Sequence, residues 1–330
     1  MRRRRWLRIA AASSLASVIP RSIAQTGVAP GAPLRMGYLN FGPPPPGGAP
    51  PALRRALAEL GYVDGSRIVF VSRSANYEVA RLPALCDELL ALKPDVIVVV
   101  GYKSAQVLAR STSSTPVVVY SAGDPVATGL VASLSAPGGN VTGLSDQSAE
   151  LSGKRLELLR DLVPSAAVVA VLWNADDLAM TLRVQEIERA SRSLRMTLQP
   201  LGVREPDEFE AAFTAMRRQR PDALMLVTDA LTALNRQQVI AFAAANRVPT
   251  MYEYAYLVRD GGLVSYGPDP EAAVVRVASF VDRIARGARP RDLPIELPER
   301  YELFVNLRTA RSLGLVVPQS LLLRASGTIE

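Results

Sequence analysis

Short, uninterrupted apolar runs alternate with amphipathic segments along most of this chain, and that alternation is its strongest constraint on fold. Asp95 to Val100, Val117 to Tyr120, Ala167 to Leu172 and Ala223 to Val227 read as strands buried on both faces. Between them lie segments of helical period, such as Val79 to Leu92, which sets Leu82, Leu85, Leu89 and Leu92 on one face. Strand and helix in strict turn predict an α/β chain with parallel sheets. The pattern restarts at Glu150. Lys93-Pro94-Asp95 before one apolar run matches Arg220-Pro221-Asp222 before another, and the first strand of each half ends in asparagine, Asn40 and Asn174. The expected fold is therefore two similar, doubly wound parallel-sheet lobes in one chain. A helix and strands left over after two complete lobes predict that the chain crosses back near its end. The expected division is 34–146 plus about 266–290 for one lobe, and 147–265 plus about 291–330 for the other.

The stretch from Pro116 to Ser145 is the centre of the pattern. A buried strand ends at Gly123-Asp124-Pro125. A short apolar-periodic segment, Ala127 to Leu134, follows, then Pro137-Gly138-Gly139 and a second strand, Asn140 to Leu144. Asp124 thus reads as standing where a strand hands over to a helix N-terminus, the rim at which open α/β sheets bind ligands. The run from Gly42 to Pro51, with four consecutive prolines, predicts a stiff extended loop at the same rim.

Composition excludes several chemistries. The 330 residues contain no histidine and one cysteine, Cys86, so neither a Ser-His-Asp triad nor a zinc site can be assembled. Cys86 lies in a periodic helical run and reads as a buried small apolar residue. No glycine-rich phosphate loop follows a strand, which speaks against a nucleotide cofactor, and with no histidine and one cysteine no cofactor or metal is expected. The formal charge of +7 does not describe a nucleic-acid surface. Arg2, Arg3, Arg4, Arg5, Arg8 and Arg21 fall in the first 25 residues, where no acid lies, leaving a near balance beyond them.

Met1 to Ala24 has the layout of an export signal: a basic start, an apolar middle from Ile9 to Ile19, and a small-x-small end at Ser22-Ile23-Ala24. Its apolar part is shorter than the ~20 residues needed to span a bilayer. Arg3-Arg4-Arg5-Trp6-Leu7-Arg8 resembles the twin-arginine consensus, and the general secretory route fits as well. Cleavage is expected after Ala24, and the absence of a following cysteine speaks against a lipid anchor.

The polar and aromatic residues at strand ends form the candidate site: Asn40, Phe41, Tyr102, Lys103, Ser104, Ser121, Asp124, Trp173, Asn174, Asp229, Tyr252, Glu253 and Ser265. Several also read as helix caps or turn residues, Asp124, Asp229 and Ser104 above all. Trp173 reads equally as a cleft wall or a core residue. Collectively they line one edge of two sheets. Phe41, Tyr102, Trp173 and Tyr252 supply aromatic walls, Asp229 and Glu253 are placed to hold an ammonium group, and the amides from Tyr102 to Ala105 to hold a carboxylate.

Asp124-Pro125-Val126-Ala127-Thr128-Gly129-Leu130 with Pro137-Gly138-Gly139-Asn140-Val141-Thr142-Gly143 resembles the signature of a family of bacterial periplasmic ABC-transporter substrate-binding proteins. Leu60-Gly61-Tyr62, Leu151 to Leu159, Gly262 to Gly267 and Leu293-Pro294 through Asn306-Leu307 are similar too. Some members bind tryptophan, tyrosine or phenylalanine. The resemblance implies a type I periplasmic-binding fold with three crossings between lobes, no catalysis, a small solute as ligand, and a membrane permease with a separate ATPase as partners. The mature chain is expected in the periplasm as a monomer. One departure stands out. Aromatic-amino-acid binders carry an Asn-Ser-Ser-Glu-like loop and an Asp-Asn pair where this chain has Asn174-Ala175-Asp176-Asp177 and Asp229-Ala230. Two rival readings share the architecture: a hydrolase using Ser104 or Ser121, disfavoured by the missing histidine and nucleophile elbow, and a ligand-sensing regulator, whose DNA-binding start is displaced by the export leader.

Overall fold

The computed structural model describes residues 32–330 apart from 77 and 147. The expected export signal and its cleavage point lie outside the described residues. The first lobe runs β1 (Leu34–Asn40), α1 (Pro51–Glu59), β2 (Ile68–Ser74), α2 (Leu82–Ala91), β3 (Val96–Val100), α3 (Tyr102–Ser111), β4 (Val117–Tyr120) and β5 (Val141–Gly143). The second runs α4 (Ser148–Leu162), β6 (Val168–Asn174), α5 (Leu178–Leu194), β7 (Thr197–Val203), α6 (Phe209–Arg218), β8 (Ala223–Leu226), α7 (Ala230–Leu234), α8 (Arg236–Ala245), β9 (Thr250–Tyr252), α9 (Ala255–Arg259) and β10 (Val264–Pro268). Then come α10 (Pro270–Ala285), β11 (Tyr301–Asn306), α11 (Leu307–Leu313), α12 (Gln319–Leu322) and β12 (Gly327–Ile329).

Among the described residues the first sheet has the order β2-β1-β3-β4-β5 and the second β12-β11-β10-β9-β8-β6-β7. The first five strands of each lobe thus repeat one doubly wound order. Asp95 and Asp222 do the same work in the two copies. Asp95 Oδ2 accepts the Arg35 amide at 2.7 Å, and Asp222 Oδ2 accepts the Ala167 and Val168 amides at 2.8 Å. Each carboxylate ties the start of a lobe's third strand to the start of its first. Pairing is parallel except between β10 and β11, which run antiparallel because the chain returns from the first lobe in the opposite sense.

Both sheets are covered on both faces, as their unbroken apolar strands require. One face of the first sheet (Met36, Val98, Val118) packs against α1 and α10, and the other (Ile97, Val99, Val119) against α2 and α3. Cys86 is buried in the latter layer. Hence α10 belongs to the first lobe although it follows β6 to β10 of the second lobe in sequence. β10 continues to Pro268 in the second sheet, and Leu293 and Ile295 still pack in the first lobe, so the later crossings fall beyond the expected 265 and 290. The first and third crossings run side by side. Leu144 pairs with Glu296, the Glu296 amide donates to the Gly143 carbonyl at 2.9 Å, and the Ser145 amide to the Glu296 carbonyl at 3.0 Å. Gly143 has φ +135°, and a Cβ there would stand 2.0 Å from the Val119 carbonyl oxygen, so only glycine fits.

One expected element is absent. Ala127 to Leu134 forms turns, not a helix. Asp124 Oδ1 accepts the Val126 and Ala127 amides and its carbonyl accepts the Thr128 amide, but Gly129 then adopts φ +72° and ends the turn. Asp124 therefore caps a loop, not a helix N-terminus.

Candidate functional site

A cavity of about 560 Å³ lies between the lobes, where the C-terminal edges of the two sheets face each other. β1, β3 and β4 deliver Asn40, Tyr102 and Ser121 from one side; β6 and β8 deliver Asn174 and Asp229 from the other. These positions flank the point in each sheet where strand order reverses, the usual ligand edge of a doubly wound sheet. The walls are rich in rings: Tyr38, Phe41, Tyr102, Tyr120, Tyr254 and Tyr256 all border the space. Tyr254 and Tyr256 stack with centroids 5.9 Å apart, and Arg236 lies over Tyr256. Burial pushes the Tyr38 and Tyr256 hydroxyls up to about 12 and Tyr254 well above its ordinary value, so these walls are neutral near pH 7.

Asn40 organises its own loop, accepting the Gly42 amide at 3.3 Å and donating to the Pro43 carbonyl. α3 begins behind Gly101, whose φ of +79° turns the chain into the helix without a side-chain cap. The first amides of α3 are left for another acceptor. Tyr102 is buried and joins the apolar cluster of the second lobe, while the Lys103 ammonium donates to the Asp176 carbonyl at 2.9 Å. The lobes therefore touch across the cleft mouth.

On the facing side, Asn174 Nδ2 donates to Asp229 Oδ2 at 2.6 Å, and Asn174 Oδ1 accepts the Asp176 amide at 3.0 Å. Asp229 Oδ1 accepts the Thr232 amide while the Thr232 hydroxyl closes a capping box on α7. Asp177 caps α5 through the Ala179 and Met180 amides. Burial raises its carboxyl to about 6, Asp229's charge adds to the rise, and Arg183 and the two amides pull against it.

Behind the cleft lies a chain of buried charges. Arg183 donates to Glu253 at 2.7 Å and to Asp146 at 2.9 Å; Arg155 donates to Glu253 at 3.1 Å and to the Tyr266 carbonyl at 2.7 Å. Burial disfavours the charge on Arg183, but Asp146 and Glu253 more than offset this. Asp146 Oδ2 also accepts the Ser121 hydroxyl at 2.6 Å and the Tyr254 hydroxyl at 3.1 Å. One oxygen on the first crossing thus gathers donors from both lobes.

Of the residues expected from the sequence, Asn40, Phe41, Tyr102, Lys103, Ser104, Ser121, Asn174 and Asp229 line this cavity. The others do not. Asp124 sits in its loop. Trp173 packs against the second lobe's core and Gly202. Tyr252 is a core residue, 1 % exposed, because the inward face of β9 claims it. Glu253 is sealed between two arginines, which overturns its expected role as an ammonium holder, and Ser265 is buried within β10. Sequence reasoning missed Asp177, Arg183, Tyr254 and Tyr256. The alternation Tyr252, Tyr254, Tyr256 was the available signal, since the residue after a strand's end turns to the rim.

A family model described as ABC transporter substrate binding protein matches residues 51–329. A curated relative, the tyrosine-binding protein of Clostridioides difficile (strain R20291), is 26% identical over 261 residues, 79% of this chain and 75% of that one. Among solved structures, a Streptococcus pneumonia ABC domain in complex with L-Trp is 24% identical, with TM-score 0.82 over 90% of this chain and all of that one. The ligand-free, open structure of a Clostridium difficile substrate binding protein with adhesive properties matches at the same identity and coverage with TM-score 0.62. The chain belongs to the ABC transporter substrate binding protein family.

Proposed function

We propose that this chain is the exported receptor of an ABC importer and that it closes its lobes over a small amino acid with an apolar or aromatic side chain. The cavity of about 560 Å³, walled by rings from both lobes, carries this reading. Such walls bury an aromatic side chain well. The uncapped start of α3 offers amides to a carboxylate, and the carboxylates of the second lobe face it across the cleft. The relatives named for tyrosine and crystallised with L-Trp support the same solute class. A thermal-shift screen of the mature protein against the standard amino acids tests it. A solute at a hundred times its Kd stabilises the folded state by about 2.7 kcal/mol. Aromatic amino acids are expected to give the largest rise; no rise with any of them overturns the solute assignment.

The protein works by capture and release, without catalysis and without nucleic acid, and hands the solute to a membrane permease. The solute is recovered unchanged after incubation, and the protein elutes as a monomer. Export follows the leader: the periplasmic form begins at Gln25 and carries no lipid. Met1 on the exported protein would refute that cleavage.

A further inference from the structure

Three carboxylates of the second lobe border the cleft: Asp176, Asp177 and Asp229. Asp176 is exposed and pairs with Arg204 at 3.4 Å. Asp229 commits Oδ1 to the Thr232 amide and Oδ2 to Asn174. Glu253 is enclosed by Arg155 and Arg183. Asp177 differs from all of these. Its Oδ1 receives two amides, while Oδ2 has no partner among the described residues. The residue is 4 % exposed and still borders the cavity.

Asp177 is thus a mostly buried carboxylate with one oxygen that receives no donor among the described residues, and both burial and the charge of Asp229 disfavour its ionised form. The cations around it are engaged elsewhere. Lys103 donates to the Asp176 carbonyl, Arg204 pairs with Asp176, Arg236 pairs with Asp260, and the Arg183 Nη atoms serve Asp146, Glu253 and the Thr228 carbonyl. The phenol of Tyr102, which borders the cleft opposite, is paired with Gln106.

We infer that Asp177 is the anchor for a positively charged amine on the solute, so that the cleft selects ammonium-bearing solutes over otherwise identical molecules that lack the amine. This rests on the reading of the cleft as an amino-acid site and replaces Asp229 and Glu253, the carboxylates that the sequence suggests, with one that it did not.

Calorimetric titration of the full mature protein at pH 7.5 tests it with matched pairs: L-tyrosine against 3-(4-hydroxyphenyl)propionate, L-tryptophan against indole-3-propionate, and L-phenylalanine against 3-phenylpropionate. In the wild type the amine-free partner binds on the order of 30-fold more weakly, as expected for losing a charge-assisted contact in a buried site. Asp177→Asn keeps an oxygen for the Ala179 amide and removes the charge, and the discrimination falls to about threefold or less. Equal binding within each wild-type pair overturns the inference while leaving the cleft reading intact, and it needs no variant to fold. Undiminished discrimination by a folded Asp177→Asn also overturns it. If none of the six molecules binds, the solute class itself is wrong and the inference falls with it.

Discussion

The Ser121 hydroxyl donates to Asp146 Oδ2 at 2.6 Å, joining the end of β4 to the first crossing from a residue with φ +60°. Glycine is the usual occupant of that backbone region. Serine there keeps a hydroxyl that also lies 3.2 Å from the Tyr254 hydroxyl of the other lobe. Ser121→Ala is expected to lose about 1 kcal/mol of stability and to weaken solute binding about fivefold, by reducing the closed population. Ser121→Gly is expected to bind as weakly yet to be more stable than Ser121→Ala, because relief of left-handed strain is worth about 1 kcal/mol. Urea denaturation and calorimetric titration of both variants separate the two effects.

Arg183, almost fully buried, neutralises two buried carboxylates. Arg183→Ala removes the guanidinium that bridges the buried Asp146 and Glu253, and a loss of about 3–5 kcal/mol is expected. Adding Asp146→Asn restores charge balance around the intact Arg155–Glu253 pair. The double variant is therefore expected to be more stable than Arg183→Ala alone. Urea midpoints at pH 7 check the order.

Asp177 makes stability depend on pH in an unusual direction. Its folded-state value of about 6 lies above the ordinary 3.8. Between these values the folded protein holds a proton that the unfolded chain has lost. This residue's contribution is therefore full below about pH 4 and is lost as pH rises through about 6. At ~1.4 kcal/mol per unit the loss is about 3 kcal/mol. Asp177→Asn is expected to gain Tm relative to the wild type as pH rises from 4 to 7, measured without solute. A constant difference across that range contradicts the assignment.

Gly143→Ala is expected to cost more than about 3 kcal/mol, because the backbone and the Val119 carbonyl both reject a Cβ. A urea midpoint within error of the wild type would show that β4 and β5 can part without penalty.

Architecture was more legible in this chain than recognition. Apolar runs and helical periods are local, and so is the basic-Pro-Asp opener whose carboxylates stitch both sheets. The turns after Asp124 misled because a cap looks the same before a helix as before a loop; Gly129 decides, through a backbone angle that sequence leaves open. At the site, strand ends were found but their phase was not. Tyr252 and Tyr254 are two residues apart, yet β9 ends between them, sending one to the core and the other to the cleft. Glu253 read as a free anion because its partners, Arg155 and Arg183, lie 98 and 70 residues away.

The layer of Met36, Val98 and Val118 is roofed by α10, which leaves the ribosome only after every strand of the second lobe's parallel set. Until about residue 285 has been made, that layer is covered by α1 alone. Neither half can mature ahead of the other, and a gene divided between the lobes would encode two pieces, one only half roofed and the other lacking its outer strands.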